Sequence, residues 1–215
     1  MTVSPRVLKA GIVTVDPTSG TVTRVISLQY NPDTLTRTFQ VQASGEGSSD
    51  RSEALRLKGP ATETYKVDAE LDLADQLEHP GDNPAAVEVG LLPQLAALEG
   101  LVNPTSAQLT RNDSLARSGR LEIIPAQAPL ALFVWGRNRV MPVRITELSV
   151  TEEAFDPALN PIRAKVSLGM RVLNINDLGF DHRGGNLFMA YLRTKELMAT
   201  RTSGSLDQLG LSGIG

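Results

Sequence analysis

Between Thr64 and Leu73 the chain reads T-Y-K-V-D-A-E-L-D-L, with Tyr65, Val67, Ala69, Leu71 and Leu73 set against Lys66, Asp68, Glu70 and Asp72. An unbroken period of two is what a pleated strand with one dry and one wet face requires, and no helix can bury that pattern. A second segment repeats it, with Ile162, Ala164, Val166, Leu168, Met170 and Val172 opposing Arg163, Lys165, Ser167 and Arg171 before Leu173. Two long strands of the antiparallel type are therefore predicted, and with them a fold organised about a sheet. Arg6 to Val15 is rich in β-branched residues and ends at the turn formers Asp16-Pro17-Thr18-Ser19-Gly20, after which Val22 to Tyr30 alternates with one fault at Arg24. This predicts an N-terminal hairpin. Leu130 to Trp135 is continuously apolar and meets Gly136-Arg137-Asn138; in Arg139 to Val150, Met141, Val143 and Ile145 share one parity, Leu148 and Val150 the other. The change of parity near Glu147 predicts a β-bulge.

Helical periodicity is read in two places. Asn83-Pro84 has the form of an N-cap followed by proline at the first helical position, and Val87, Leu91, Leu95, Leu98 and Val102 recur behind it every three to four residues. Pro93 falls inside that run, which predicts a kink or a restart there. A second helix is predicted from about Asn186, where Phe188, Tyr191, Leu192 and Lys195 follow helical spacing, fading by Thr200 and covering an edge or face of the sheet. Ala43 to Glu53 has no apolar anchor after Ala43 and predicts a long flexible loop. The fold class expected is thus mainly β (α+β): one domain over residues 1–200 with its loop at 43–53, then a Gly/Ser-rich tail at 201–215. That tail carries Leu206, Leu209, Leu211 and Ile214, so it is either disordered or a segment that orders on a partner.

Composition removes several chemistries. The 215 residues hold 21 Lys plus Arg against 24 Asp plus Glu, a net charge of −3, which supplies no bulk field for nucleic acid or anionic lipid. With no cysteine there is no disulfide frame, thiolate metal site or Cys nucleophile, and two histidines leave few imidazole mechanisms. The P-loop, HExxH, GxSxG and GxGxxG patterns do not occur. Asp68, Glu70 and Asp72 share a strand face and recommend themselves as cation ligands, but same-face neighbours lie about 7 Å apart without a ligand loop, and a solvated face is the simpler reading. His79 beside Pro80-Gly81 reads as a loop residue. His182 precedes Gly184 and Gly185 at a helix start whose amides can hold an anion, but a helix N-terminal loop with no ligand is the simpler reading. An enzyme reading would gather Asp181, His182 and Asn186 in a cleft, and a ligand-binding β-barrel would need an enclosed apolar cavity. Neither a catalytic residue, a metal nor a cofactor is expected. Arg137, Arg139, Arg144, Arg163, Lys165 and Arg171 make the last strands basic while Asp68, Glu70 and Asp72 make an acidic strand, and opposite charge on two faces would suit a head-to-tail ring. The start Met1-Thr2-Val3-Ser4-Pro5-Arg6 lacks the form of a secretory signal, so synthesis in the cytoplasm is expected, with release outside the cell only as part of a larger particle.

Three segments together resemble the tube-like proteins of contractile injection systems, the phage-tail-like machines, and in particular their baseplate tube initiator or spike-to-tube adaptor. The first is Leu28-Gln29-Tyr30-Asn31-Pro32-Asp33-Thr34-Leu35-Thr36-Arg37, similar to that family's aromatic-Asn-Pro turn and following strand. The second runs from Gly59-Pro60-Ala61-Thr62-Glu63 through the alternating strand to Leu92-Pro93-Gln94-Leu95-Ala96-Ala97-Leu98-Glu99. The third joins Leu132-Phe133-Val134-Trp135-Gly136, Pro142-Val143-Arg144-Ile145-Thr146 and Glu152-Glu153-Ala154-Phe155-Asp156-Pro157-Ala158-Leu159-Asn160-Pro161-Ile162-Arg163-Ala164. The resemblance implies a tail-tube-like β-barrel or sandwich with one or two flanking helices, six copies of which close into a ring. Its work would be mechanical, a hub joining the spike to the inner tube, with spike, inner-tube and baseplate proteins as partners and no nucleic acid or membrane insertion. An inner-tube subunit proper is the alternative within the family. Members with a LysM module continue beyond this pattern; here the Gly/Ser-rich tail to Gly215 is too short for that module, and docking through the tail's apolar residues is expected in its place. Interface residues expected on this reading are Tyr30, Asn31, Pro32, Arg51, Trp135, Arg137, Arg139, Leu206, Leu209 and Leu211.

Overall fold

The computed structural model describes residues 8–43, 56–118 and 128–214. Its strands are β1 (Gly11–Val15), β2 (Val22–Ser27), β3 (Thr36–Gln40), β4 (Thr62–Asp72), β5 (Leu130–Val134), β6 (Val140–Phe155) and β7 (Pro161–Val172). They form one seven-stranded sheet in the order β2-β1-β5-β6-β7-β4-β3 with every neighbouring pair antiparallel. The two alternating segments are β4 and β7, and they lie side by side: Tyr65 faces Met170, Val67 faces Leu168 and Ala69 faces Val166, all buried. The hairpin of β1 and β2 turns where Asp16 accepts the amides of Thr18 and Ser19 on its side chain, at 3.0 and 2.6 Å. In β6, Ile145 faces Met170 while Glu147 faces Gly169, so Thr146 is the extra residue of a bulge and the parity reverses there. Gly169 belongs to that bulge, because a Cβ at its position would sit 3.0 Å from the Glu147 Cβ.

The sheet curls strongly. Strands β4 and β5 are separated by β6 and β7, which in a flat sheet would place them about 14 Å apart. Yet the rings of Tyr65 and Phe133 meet at 5.7 Å between centroids, and Phe133 meets Trp135 at 5.8 Å. Phe133, Met141, Met170 and Tyr65 are almost fully buried around this contact, each side chain contributing about 1.5–3 kcal/mol on removal from water. The closed barrel implied by the family resemblance is not formed: β2 and β3 are the two ends, and no ladder joins them among the described residues. The Gln29 side chain spans part of the opening. The Gln29 amide donates to the Asp72 carbonyl, and the Asp72 amide donates back to Gln29 Oε1 at 2.8 Å.

The helices are α1 (Ala74–Leu77), α2 (Pro84–Val89), α3 (Leu92–Glu99), α4 (Ser106–Arg117), α5 (Ile175–Leu178) and α6 (Arg183–Ala199), followed by a 3-10 turn at Leu206–Leu209. The predicted helix behind Asn83-Pro84 is indeed broken, but Gly90 breaks it and Pro93 merely opens the first turn of α3. Gly90 has φ +57° and a Cβ there would lie 2.5 Å from the Pro161 carbonyl, so only glycine lets this turn approach β7. Leu91, Leu95 and Leu98 then point into the core. Helix α4 was not predicted, and α6 begins three residues earlier than expected, at Arg183. Among the described residues, the acidic strand β4 and the basic strand β7 do not present opposite charge on two separate faces. Because β4 and β7 are adjacent, Asp72 pairs with Arg163 at 2.7 Å and Lys165 with Glu153 on β6 at 2.9 Å, so acid and base alternate on one wet face.

Candidate functional site

Residues 30–34, between β2 and β3, leave the ladder and arch beside the wet face of the sheet. Two side-chain amides hold the arch. Gln29 is bound to the end of β4 as described, and Asn31 accepts the Ala10 amide on Oδ1 at 2.9 Å while donating to the Leu8 carbonyl at 2.7 Å. Each amide thus imitates a neighbouring strand, satisfying backbone groups that would otherwise face solvent. Under the arch lies a groove of about 520 Å³. Tyr30, Asn31 and Pro32 form one wall with Asp33 and Thr34; the carboxylates of Asp68 and Glu70 form the floor with the hydroxyls of Ser149, Thr151 and Ser167. Lys165 also reaches the groove, but its ammonium is already held by Glu153. The arrangement offers an aromatic ring, three carboxylates and a row of hydroxyls, which suits recognition of a polar or basic partner.

The interface residues expected from the sequence divide among several places. Tyr30, Asn31 and Pro32 come together in the groove. Trp135 packs, half-buried, against the small cluster of Ala10, Leu28 and Ala69 behind the same arch, with the Arg139 guanidinium 5.7 Å over its ring. Arg137 lies exposed in the β5–β6 turn. Leu206, Leu209 and Leu211 are exposed in and after the 3-10 turn, and Arg51, with most of the 43–53 loop, lies outside the described residues. Asp181, His182 and Asn186 do not converge. His182 borders a depression of about 320 Å³ near the Arg171–Asp177 ion pair, which Asp181 and Asn186 do not line. The imidazole is committed to the cap of α6, Nδ1 accepting the Gly184 amide at 3.0 Å. Gly184 and Gly185 lie inside α6 instead of ahead of it; the Gly179 carbonyl packs against the first turn, 1.8 Å from where a Gly185 Cβ would stand, and the Gly184 amide is already taken by His182. Among the described residues no group of three or more His, Asp or Glu is placed to hold a metal ion, and no helix is long and apolar enough to cross a membrane.

One constellation escaped the sequence reading. Glu63, 3% exposed, sits on the dry face of β4 and gathers groups from three elements. Its Oε1 accepts from the hydroxyls of Tyr65 at 2.9 Å and Tyr191 at 2.8 Å, Oε2 accepts from Lys195 at 2.9 Å, and Arg37 on β3 stands 3.9 Å away. The two hydroxyls are also 2.8 Å from one another. Burial, followed by its bonds to Tyr65 and Glu63, drives the Tyr191 phenol far above its usual range, and burial likewise raises Tyr65. Both rings stay neutral donors to the carboxylate. The Phe39 ring lies between the Arg37 and Lys195 cations, each 5.0 Å from its centroid. This network fastens the edge strand β3 to α6. Its one legible signal was parity: carried back from Tyr65, the alternation places Glu63 on the dry side.

No model of a known protein family matches the chain, and no curated protein matches it.

Proposed function

We propose that this chain is a structural component of a contractile injection system, forming the baseplate hub or tube-initiator ring that joins the spike to the inner tube. The observation that carries the proposal is the open sheet whose end strands are both largely exposed. In β2 only Ile26 is buried, and in β3 no residue is. Val22, Val25, Phe39 and Val41 project apolar surface beside those edges. An exposed apolar edge is a liability for a solitary protein and a joint for one that assembles, since sister copies cover it. The Tyr30-Asn31-Pro32 turn and the β6–β7 hairpin, which carry much of the family resemblance, are both pinned by side-chain hydrogen bonds. Asp156 at the hairpin tip accepts the amides of Ala158 and Asn160 and the Asn160 side-chain amide, each at 2.8 Å. Six copies would form the ring, with the spike on one side and the first layer of inner tube on the other; the product is geometry, and no turnover is involved. Electron microscopy of the purified chain, alone and mixed with the spike protein, tests this. Rings of uniform diameter with a central hole are expected; strictly monomeric particles in both samples overturn it.

A further inference from the structure

The groove under the 30–34 arch contains a gap in the backbone ladder. The amide of Leu73 donates to the Ile162 carbonyl on β7 at 3.0 Å, so odd-numbered residues of β4 bond towards β7. Even-numbered ones turn the other way, as the pairing of Lys66 with Thr36 and of Asp72 with the Gln29 amide requires. Between those two anchors Asp68 and Glu70 each direct an amide and a carbonyl outwards. Strand β3 does not reach them because the chain departs at Thr36 into the arch, and no backbone or side-chain partner meets these four groups among the described residues.

We propose that this gap is a strand-addition site for a short extended, basic segment of a partner chain, no more than five residues long opposite residues 67–71, since Thr36 and Gln29 close its two ends. An added strand would complete the ladder with four backbone hydrogen bonds, using the sheet edge as a template. Charge selects the occupant. Residues directly across an antiparallel pair share a face with Cβ atoms about 4.5–5.5 Å apart, so the two partner residues opposite Asp68 and Glu70 lie beside their carboxylates. Asp33 adds a third negative charge at the rim; Lys165 stands across the ladder from Glu70 but is paired with Glu153, so carboxylates remain in excess around the gap. The recognition element is therefore Lys or Arg at alternate positions, with the residue between them facing the opposite side of the sheet. The assignment goes beyond the ring reading and does not depend on it, since it concerns an internal gap and neither end of the sheet.

The test uses the 15N-labelled full chain and the capped tripeptide acetyl-Lys-Val-Lys-amide, whose residues fit opposite Glu70, Ala69 and Asp68 between the two anchors, followed by amide exchange. In the free chain the Asp68 and Glu70 amides should exchange quickly while Val67, Ala69 and Leu71 are protected, and the peptide should slow the two open amides about tenfold or more. The same peptide with Glu in place of Lys, or N-methylated along its bonding edge, should leave them unchanged. The double variant D68K/E70K should reverse the preference, binding the Glu peptide and not the Lys peptide. Fast exchange that the Lys peptide does not alter overturns the proposal, as does equal binding of the N-methylated peptide. Protection of Asp68 and Glu70 without peptide also overturns it; a dependence on protein concentration would then give the gap to a second copy.

Discussion

Glu63 shows how much one residue can commit a fold. A buried carboxylate is tolerated only when its lone pairs are filled, and here two phenols and an ammonium fill them. Glu63→Leu removes the acceptor and leaves Lys195, Arg37 and two hydroxyls facing apolar surface, so a loss of about 3 kcal/mol is expected in urea unfolding; the partial exposure of Lys195 keeps it at the low end of the range for broken buried pairs. The phenols set a pH dependence. Their folded values lie above the ordinary value of 10.0, so their contribution is whole below pH 10 and is lost as the unfolded chain ionises first at higher pH. The melting temperature should therefore fall above pH 10, and less steeply in Tyr191→Phe, as thermal scans between pH 8 and about 11 would record. Gly90→Ala forces φ +57° on alanine and drives a Cβ against the Pro161 carbonyl. A loss of about 2–3 kcal/mol is expected by denaturant titration. Parity carried back from Tyr65 is the one local signal for Glu63, and Tyr191 and Lys195 are 128 and 132 positions away, beyond any local pattern.

At the scale of elements, the strands were legible and the helices less so. Alternation in β4 and β7 reflects the pleat itself, and the bulge at Thr146 announced itself as a change of parity. Helix α4 left no such trace. It buries no residue, its apolar side chains form no stripe, and its one signal is the capping box in which Thr105 and Gln108 satisfy each other's backbone amides. Thr105→Ala should weaken α4 locally by about 1 kcal/mol, seen as faster amide exchange over Ser106–Arg117. The global melting temperature should hardly move, because nothing in the core depends on α4. The broken helix before it teaches a related point: Pro93 drew attention as the breaker, whereas Gly90, which interrupts no hydrophobic spacing, makes the turn.

For the whole molecule, the sheet is curled enough to bring β4 against β5 yet remains open at β2 and β3. If those ends are joints between copies, Val25→Lys combined with Val41→Lys should abolish rings in electron micrographs. The monomer should survive: Val25 is 64% and Val41 63% exposed, so charge there changes the thermal midpoint by only a few degrees. Composition and alternation by themselves determined that this chain builds an antiparallel sheet, which side of each long strand is dry, and where a bulge reverses it. Those properties follow from the two-residue repeat of the backbone, which every strand carries wherever it is placed. Tertiary structure alone decided that the acidic and basic strands are neighbours, that the curl stops short of closure, that Glu63 meets α6, and that Asp68 and Glu70 face a gap. Each of these is a pairing between distant segments, selected by the packing of the assembled core and therefore written in no single stretch of sequence.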